Sequence, residues 1–392
     1  MKNISGMYAV IRTVSLWGLL LGVSQAGLAQ FQTTIGFPYP ASERSPGGIV
    51  LPNGDYAISA GNFAHPNGLF GAVSEDWQLL RLQPGGQTAG LSKMLGRPPA
   101  EQVAWMELGA CNGQSQFVVA GSASGNMTLT FTNMAGDPGP IKEVGSTTNV
   151  ETAACVKVDG NGDVVLLGTQ LNVSGQQAVT VVKTDCNGTQ LWNWVFYFTG
   201  WSAEAASITA FDTYLGSCLQ PPSNKYFITG TMTPLAGGPG EVFLLSINAS
   251  NGSFDFMNRY VLNPSASDQA TCIQASCQGT VQPEIWISGS STDLSTGAQT
   301  VLMLKTNVNG NPIWANNYDI GQPNEHEFAT DFTFGPGGSL VVTGKAEEMV
   351  IAQGLKSGNA MLMRIAGSGN TVDWTRIYSN TDFSAQGNRV EP

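Results

Sequence analysis

The sequence predicts an all-β fold built from six repeats, each of four short antiparallel strands. The first observation is a hydrophobic run that ends in glycine and a small or polar residue, as in FVVAGS and VVLLGT. Its glycines are spaced 60, 47, 62, 59 and 55 positions apart, at Gly61, Gly121, Gly168, Gly230, Gly289 and Gly344. The second is a turn followed by tryptophan, written KTDCNGTQLWNW from Lys183, KTNVNGNPIWAN from Lys305 and RIAGSGNTVDWTR from Arg364. This periodicity, with little helical patterning, predicts a β-propeller of four-stranded blades.

The third unit shows how the strands are assigned. ETAACVKV at 151–158 is a first strand, and the turn GNGD leads into the second strand, DVVLLGT. AVTVVKT is a third strand rich in β-branched residues, and the turn DCNG reverses it into TQLWNWVFYF. Glycine and asparagine suit such turns because they tolerate positive φ. The same pattern divides the chain into units at 37–96, 97–145, 146–198, 199–264, 265–321 and 322–380, and residues 381–392 begin a further blade.

The first 29 residues have the pattern of a secretory signal peptide. Lys2 and Arg12 are positive, 14–23 is apolar, and SQAGLAQ supplies small residues for cleavage after Ala29 or Ala26. The alternative is a buried N-terminal helix. The signal predicts a secreted protein, either extracellular or on the outer cell surface, although a periplasmic location stays open.

The two ends of the repeat region predict a larger ring. FQTTIG at 31–36 aligns with a fourth strand, and TDFSAQGNRVEP at the other end aligns with the start of a first strand. Six units with half-units at both ends predict seven blades, with roughly forty further residues needed to complete the last one. The alternative is a six-bladed ring with two tails.

Composition excludes several classes of function. The 392 residues are 42% hydrophobic and only 11% charged, and the formal net charge is −11. Nucleic acid needs a basic surface, so it is not an expected partner. No apolar run after the signal peptide is long enough to cross a bilayer. With two histidines, His65 and His326, and no Cys/His ligand pattern, a zinc site is not expected.

The repeat resembles two known kinds of propeller. Glycine followed four residues later by tryptophan, after a turn, resembles the tryptophan-docking repeat of quinoprotein-type propellers. The whole unit, DGNG…VVLLG…VVKTDCNGTQLW, is similar to the repeats of exported cell-surface propellers of Gram-negative bacteria. Quinoprotein enzymes carry a vicinal cysteine pair and calcium ligands, and Cys272 and Cys277 are not vicinal. The resemblance therefore implies the fold and the exported location, not the quinone activity.

Two repeated residue types are expected to serve packing. Trp192, Trp314 and Trp374 fall on fourth strands, where a large flat ring can pack between blades. A basic residue precedes each turn, and we expect it to lay its stem over that surface with its charge in water. These basic residues are Arg81, Lys183, Lys305 and Arg364.

An acidic residue stands just before each predicted first strand. These acids are Glu43, Glu101, Glu151, Glu204 (shifted by one position), Asp268 and Glu327. First strands line the channel of a propeller, so the acids are predicted to form a ring around its mouth. Such a ring can bind calcium or accept hydrogen bonds from sugar hydroxyls. The alternative is that each acid caps backbone amides of the neighbouring loop, once per blade.

Aromatic residues in loops are further candidate ligand contacts. Phe63, His65 and Phe70 lie in a long loop of the first unit, and Trp201 lies between two units. Exposed rings there can stack on sugar faces, or they can cover the ends of the core.

The six cysteines allow disulfides in an exported protein. Cys186 and Cys218 fall in turns of consecutive units on one face, so we predict a bridge between them. Cys155 and Cys272 occupy equivalent strand positions and are predicted to stay reduced in the core.

These patterns lead to three hypotheses on function. The sequence contains no nucleophile elbow, HExxH or phosphate loop. The favoured hypothesis is a non-enzymatic surface or extracellular module that binds a glycan or a protein at the channel mouth, with no cofactor except calcium at the acids. The second is a secreted polysaccharide lyase or glycoside hydrolase that uses a pair of those acids. The third is a structural subunit of an extracellular assembly.

Overall fold

The computed structural model describes residues 13–16, 31–34, 43–62, 76–83, 87–95, 101–146, 148–211, 224–277, 283–319, 326–350 and 355–378. Within these ranges every element is a β-strand except one 3₁₀ turn, Pro336–Gly338. None of the described elements is a helix long and apolar enough to cross a membrane.

Twenty-four of the strands form six four-stranded sheets, numbered 1 to 6 along the chain. Sheets 1 to 3 contain β3 (Glu43–Val50), β4 (Tyr56–Asn62), β5 (Asp76–Leu82) and β6 (Thr88–Leu95); β7 (Glu101–Cys111), β8 (Gln114–Ala123), β9 (Asn126–Asn133) and β10 (Lys142–Val144); and β11 (Val150–Val158), β12 (Val164–Leu171), β13 (Gln177–Thr184) and β14 (Gln190–Phe196). Sheets 4 to 6 contain β15 (Trp201–Phe211), β16 (Lys225–Pro234), β17 (Glu241–Asn248) and β18 (Phe254–Tyr260); β19 (Ala266–Ser276), β20 (Glu284–Asp293), β21 (Gln299–Asn307) and β22 (Pro312–Tyr318); and β23 (His326–Phe334), β24 (Leu340–Val350), β25 (Leu355–Ile365) and β26 (Val372–Tyr378).

Each sheet is an antiparallel meander in which successive strands pair in chain order. This confirms the predicted four-stranded repeat, and each predicted unit contains one sheet. First strands of successive sheets pack against one another, as do β11 with β7 and β15 with β19, so the first strands form the inner layer. Sheets 5 and 6 are also linked by one parallel pair, Gln299 with His326.

The N-terminal strands do not extend the last sheet. The strand β2 (Phe31–Thr34) pairs with β1 (Thr13–Leu16), in a two-stranded sheet of their own. The sequence predicts that 31–36 supplies the outer strand of a final blade whose inner strands lie at the C-terminal end. Since 379–392 lie outside the described residues, this expectation stays a prediction.

The glycine that ends each hydrophobic run lies opposite a β-bulge in the first strand. In sheet 3 the register shifts between Ala153 and Cys155, opposite Gly168. A Cβ on Gly168 would lie 2.5 Å from the carbonyl oxygen of Thr152, closer than any side chain tolerates. The glycine is required here because the bulged strand approaches it too closely for a larger residue.

The residue after that glycine joins one sheet to the next. Thr169 Oγ1 accepts a hydrogen bond of 3.0 Å from the backbone N–H of Ala205 in sheet 4. Ser122 Oγ accepts in the same way from Ala153 N, at 2.8 Å. Both amides belong to first-strand residues directly beside a bulge, so each hydroxyl holds the bulged strand against the neighbouring sheet.

Aromatic residues of the fourth strands pack against the next sheet. Gly369 in the last turn of sheet 6 has φ +73°, and its Cα lies against the indole of Trp314 on β22. The hydroxyl of Tyr318, on the same strand, donates to the Gly369 carbonyl oxygen at 2.5 Å. Tyr260 donates to Gly310 of sheet 5 in the same way, at 2.7 Å. The predicted packing between units is thus observed for Trp314, and for Trp192, which lies against Gly252 of sheet 4.

The basic residues before the turns are not free in water, contrary to expectation. Lys183 is buried, and its Nζ lies 2.9 Å from Asp159 Oδ2 and 3.0 Å from Asp163 Oδ2. Arg81 pairs with Asp55, Lys305 with Glu284 and Arg364 with Asp373. The third strand lies beside the second, which begins at the acidic turn, so the ammonium group of Lys183 reaches that turn before it reaches solvent.

The predicted Cys186–Cys218 bridge is wrong, because Cys186 is bonded to Cys111 with Cα atoms 5.3 Å apart. Cys186 lies in the last turn of sheet 3, which packs on the preceding sheet 2. There Gln116 Nε2 donates to the Cys186 carbonyl oxygen at 3.3 Å. Cys277 is disulfide-bonded as well. Cys155 and Cys272 are buried and form no disulfide, as predicted.

Candidate functional site at the inner strands

The predicted acids lie within the first strands rather than before them. We call the glycine that ends each hydrophobic run the signature glycine. Four of the acids pair with the residue two places after it, and we call these four the acid row: Glu101, Glu151, Asp268 and Glu327. The side chains of Glu151, Asp268 and Glu327 are only 1–2% exposed. These three carboxylates are therefore buried between sheets instead of lining an open ring.

Two members of the acid row bind the backbone of the loop that leads into their strand. Both oxygens of Glu151 accept from the N–H of Ser146, at 3.1 and 3.0 Å. Asp268 Oδ1 accepts from Ser291 Oγ at 2.6 Å, and its carboxylate also accepts from the backbone of 262 and 263. Burial raises the pKa of both carboxyl groups, and these hydrogen bonds act in the opposite direction. This geometry supports the capping alternative for both residues.

Glu204 and Glu43 lie outside the acid row by one residue. Glu204 pairs with Thr231, and Glu43 pairs with Asn62, each directly after the signature glycine. Since side chains alternate along a strand, a shift of one residue reverses the direction of the side chain. Glu204 is exposed and forms no hydrogen bond or ion pair with any described residue. In sheet 4 the acid-row position is held by Ala203 instead.

Equivalent positions next to the acid row in sheets 2 to 6 form what we call the mouth row: Gln102, Thr152, Glu204, Gln269 and Phe328. The first four are exposed and Phe328 is half-buried. In sheet 1 the backbone of Glu43 holds this position, and its side chain lies outside the described residues. Because the first strands pack side by side, these residues share one surface at the centre of the sheets. Sequence reasoning missed all but Glu204, because it followed the repeated acids. The signal in the sequence that could have found them is variation, because the residue type at this position differs from unit to unit.

A buried layer lies directly beyond the bulges, below the mouth row. Its members are Trp105, Cys155, Ser207, Cys272 and Asp331, and all except the half-buried Trp105 are buried. Cys272 Sγ donates to Asp331 Oδ1 at 2.9 Å, which joins sheets 5 and 6. Burial raises the pKa of Cys272 well above its ordinary value, and Asp331 and the Cys155 thiol add to this. Cys272 therefore stays protonated and acts as a core residue, and the layer closes the floor of the mouth.

A cavity of about 350 Å³ opens at the mouth between sheets 3 and 4. Two mouth-row residues line it, together with two exposed apolar residues and polar groups of the second and third strands: Thr152, Glu204, Val150, Leu171, Thr169 and Gln177. Ser202 and Gln177 tie its walls together, since Gln177 N donates to Ser202 Oγ at 3.2 Å. Its size falls at the low end of small-molecule sites, about 300–1,000 Å³.

The remaining candidates do not contribute to this cavity. The indole of Trp201 is partly buried, and the guanidinium carbon of Arg259 lies 4.0 Å from its ring centroid, so this face is already occupied. Phe63, His65 and Phe70 lie outside the described residues, as do the side chains of Glu43 and Glu101. Among the residues that are described, no group of three or more His, Cys, Asp or Glu side chains is placed to hold a metal ion.

Comparison with known proteins supports the fold class. No family model matches the chain, and no curated protein matches it in sequence. An ulvan lyase bound to a GlcA–Rha3S saccharide is 14% identical, with a TM-score of 0.51, over 86% of this chain and 83% of the lyase. A Dyadobacter fermentans protein of unknown function is 9% identical, with a TM-score of 0.48, over 80% of this chain and 92% of its own.

A third solved structure, a microbial sialidase, is 10% identical, with a TM-score of 0.46, over 82% of this chain and 68% of the sialidase. At such identities a similarity concerns the fold alone. Together with the six consecutive antiparallel sheets, the likeness to the ulvan lyase supports the β-propeller class.

Proposed function

We propose that this chain is an exported propeller that binds a glycan, without cleaving it, in the cavity between sheets 3 and 4. The observation that carries the proposal is the composition of the cavity wall. Hydroxyl, amide and carboxylate groups stand there beside Val150 and Leu171, which are 54% and 41% exposed. Exposed aliphatic side chains beside polar groups fit a ligand that has both apolar C–H faces and hydroxyls.

The polar wall suits sugar hydroxyls in particular. A hydroxyl both donates and accepts, and so do the hydroxyls of Thr152 and Thr169 and the amide of Gln177. Glu204 can accept charge-assisted hydrogen bonds from two hydroxyls of one sugar. Thr169 Oγ1 is already fixed by the Ala205 amide, so its position does not depend on the ligand. A site held in this way before binding loses less entropy when the ligand enters.

A glycan-cleaving enzyme is the second candidate, and the likeness to the ulvan lyase favours testing it. Glycoside hydrolysis commonly uses two carboxyl groups about 5–9.5 Å apart. Among the predicted acids whose side chains are described, Glu204 is the exposed one, and the other three are buried. This arrangement supports binding over hydrolysis. The appearance of new reducing ends or unsaturated sugars after incubation with polysaccharides, abolished in Glu204→Gln, would support the enzyme.

Export and ring size belong to the same proposal. The Cys111–Cys186 disulfide supports an oxidising location, because such bonds are rare in the cytosol. Six consecutive sheets support a ring of at least six blades, with seven as our expectation from the sequence. The apparent molecular mass on a sizing column separates this proposal from the hypothesis of a structural subunit. A single small particle would support the binding protein, and a large oligomer would support the structural subunit.

The binding proposal is tested by affinity electrophoresis against a panel of polysaccharides. The double variant Thr152→Ala/Leu171→Ala removes one hydroxyl and most of one apolar contact from the cavity, and we expect at least about a tenfold loss of affinity. Val173→Ala is the matched control, because Val173 is fully exposed two residues further along and does not line the cavity. Equal binding by both variants would place the site elsewhere.

A further inference from the structure

We propose that Glu204 restricts this cavity to uncharged saccharides and excludes those that carry carboxylate or sulfate groups. The inference rests on the proposed function, because it names the ligand class of that same site. It is carried by three observations: the exposure of Glu204, the absence of a cation from the lining, and the register that directs this acid to the mouth.

Glu204 lacks any described partner that could neutralise it. The residues that line the cavity include no lysine, arginine or histidine, and neither does the described mouth row. By contrast, other acids of the same sheet are paired: Glu241 with Arg259 at 3.0 Å, and Asp255 with Lys225 at 2.6 Å. The cavity therefore presents one uncompensated negative charge to whatever enters it.

The register of sheet 4 produces this charge at the mouth. In sheets 3 and 5 the acid-row residues Glu151 and Asp268 are buried, and the neighbouring mouth-row residues are the neutral Thr152 and Gln269. In sheet 4 the acid-row position is Ala203, opposite Met232, and the acid has moved to the exposed position. The Glu204 carboxylate consequently does not cap a loop, as those of Glu151 and Asp268 do, and it is available to a ligand.

A negative ligand would meet this carboxylate at short range. Two like charges a few ångströms apart repel each other, and they do so more strongly beside a protein surface than in bulk water. Salt screens the interaction only beyond about 8–10 Å, so the repulsion persists under physiological conditions. A neutral sugar instead donates hydroxyl hydrogen bonds to the same oxygens. The carboxylate thus favours one class and opposes the other, which is how charge sets specificity.

The experiment uses one sugar backbone in two charge states. The full chain is screened against neutral polysaccharides (laminarin, xyloglucan, galactomannan) and acidic ones (polygalacturonate, alginate, ulvan). Each neutral polysaccharide that binds is then oxidised at its primary hydroxyls to uronate, and both forms are measured with wild type, Glu204→Gln and Glu143→Gln. Glu143 is exposed, lies in sheet 2 and does not line the cavity. Its variant therefore removes one negative charge, as Glu204→Gln does, but from a position outside the proposed site.

We expect wild type and Glu143→Gln to lose at least about tenfold in affinity when the bound polysaccharide is oxidised, and Glu204→Gln to recover most of that loss. Equal binding of both forms by wild type, or no recovery in Glu204→Gln, would overturn the inference while leaving glycan binding intact. Preferential binding of an acidic polysaccharide by wild type would do the same. Binding to no member of the panel would instead reject the proposed function, and this inference with it.

Discussion

The signature glycines show how little space separates the first two strands of each sheet. At Gly289 a Cβ would overlap the carbonyl oxygen of Gln269, which belongs to the bulged partner strand and cannot move as a side chain can. The overlap is therefore with backbone that the whole sheet holds in place. In this fold the glycine that ends each hydrophobic run therefore indicates a close approach of two neighbouring strands, rather than a turn.

Gly289→Ala is predicted to lower the free energy of unfolding by about 2–3 kcal/mol, because the added methyl must displace the bulge. The measurement is urea denaturation followed by tryptophan fluorescence. Gly48→Ala is the control, since a Cβ there meets its nearest neighbour, the Ala57 carbonyl oxygen, at an ordinary 3.6 Å. We expect this control to lose no stability. Similar losses in both variants would show that the bulge relaxes freely.

The buried carboxyl group of Asp268 makes stability depend on pH. Burial raises its pKa in the folded chain above the unfolded value of 3.8. The folded state therefore holds its proton longer, and wild type loses stability as pH rises from the unfolded pKa to the folded pKa. Asp268→Asn lacks this loss. We predict that its free energy of unfolding, relative to wild type, increases as pH rises above about 3.8.

The check is chemical denaturation of both proteins between pH 3 and pH 7. The slope of the difference matters, rather than its absolute size, because asparagine also changes the hydrogen bonds to the loop. A difference that stays constant across this range, or one that falls as pH rises, would mean that Asp268 does not titrate with a raised pKa.

At the scale of the strands, the sequence is informative where structure is local. The β-branched run AVTVVKT and the turn at DCNG specify one strand and its reversal, and β13 and β14 lie where they predict. The partners of side chains were harder to predict. Lys183 was expected in water, yet it pairs with Asp159 in a turn 24 residues away. Such a contact depends on the register between strands, which a local pattern does not contain.

Ion pairs formed by the basic residues of the third strands, with the first turn for Lys183 and with the fourth strand for Arg364, are predicted to differ in strength with their burial. In Lys183→Met the Asp159 carboxylate, 6% exposed, loses the ammonium group that pairs with it. Tyr226 Oη still donates to it at 2.6 Å, which offsets the loss only in part. We expect a decrease of about 3 kcal/mol in the free energy of unfolding.

Arg364→Met is the matched substitution in sheet 6, where the pair is 24% and 38% exposed and the atoms are 3.4 Å apart. There water replaces the lost partner, and we expect a decrease below about 1 kcal/mol. Equal losses in the two variants, measured by the same denaturation, would mean that burial does not determine the strength of these pairs.

At the scale of the whole molecule, the candidate site was the least predictable feature. The repeated acids were visible in the sequence, but Glu151 and Asp268 cap loops, and the exposed surface belongs to their neighbours. A repeat conserves the residues that hold its units together, so a repeated residue indicates packing more often than binding. The one-residue shift of Glu204 was the local sign of the site. That this shift exposes the Glu204 side chain follows from the pairing of Glu204 with Thr231, and this pairing is known only from the structure.

The order in which sheets pack determines which cysteines meet. In sheets 3 to 6 the last turn lies on the preceding sheet, so Cys186 reaches Cys111 in sheet 2, and a peptide map under non-reducing conditions should link these two residues. The bridge joins positions 75 residues apart. Restricting so long a loop in the unfolded chain stabilises the folded state by about 4 kcal/mol. We predict that Cys111→Ser/Cys186→Ser loses an amount of this size in urea denaturation. A map that links Cys186 to any other cysteine would show that the turn of sheet 3 packs on a different neighbour, and the order of the inner strands would then need to be revised.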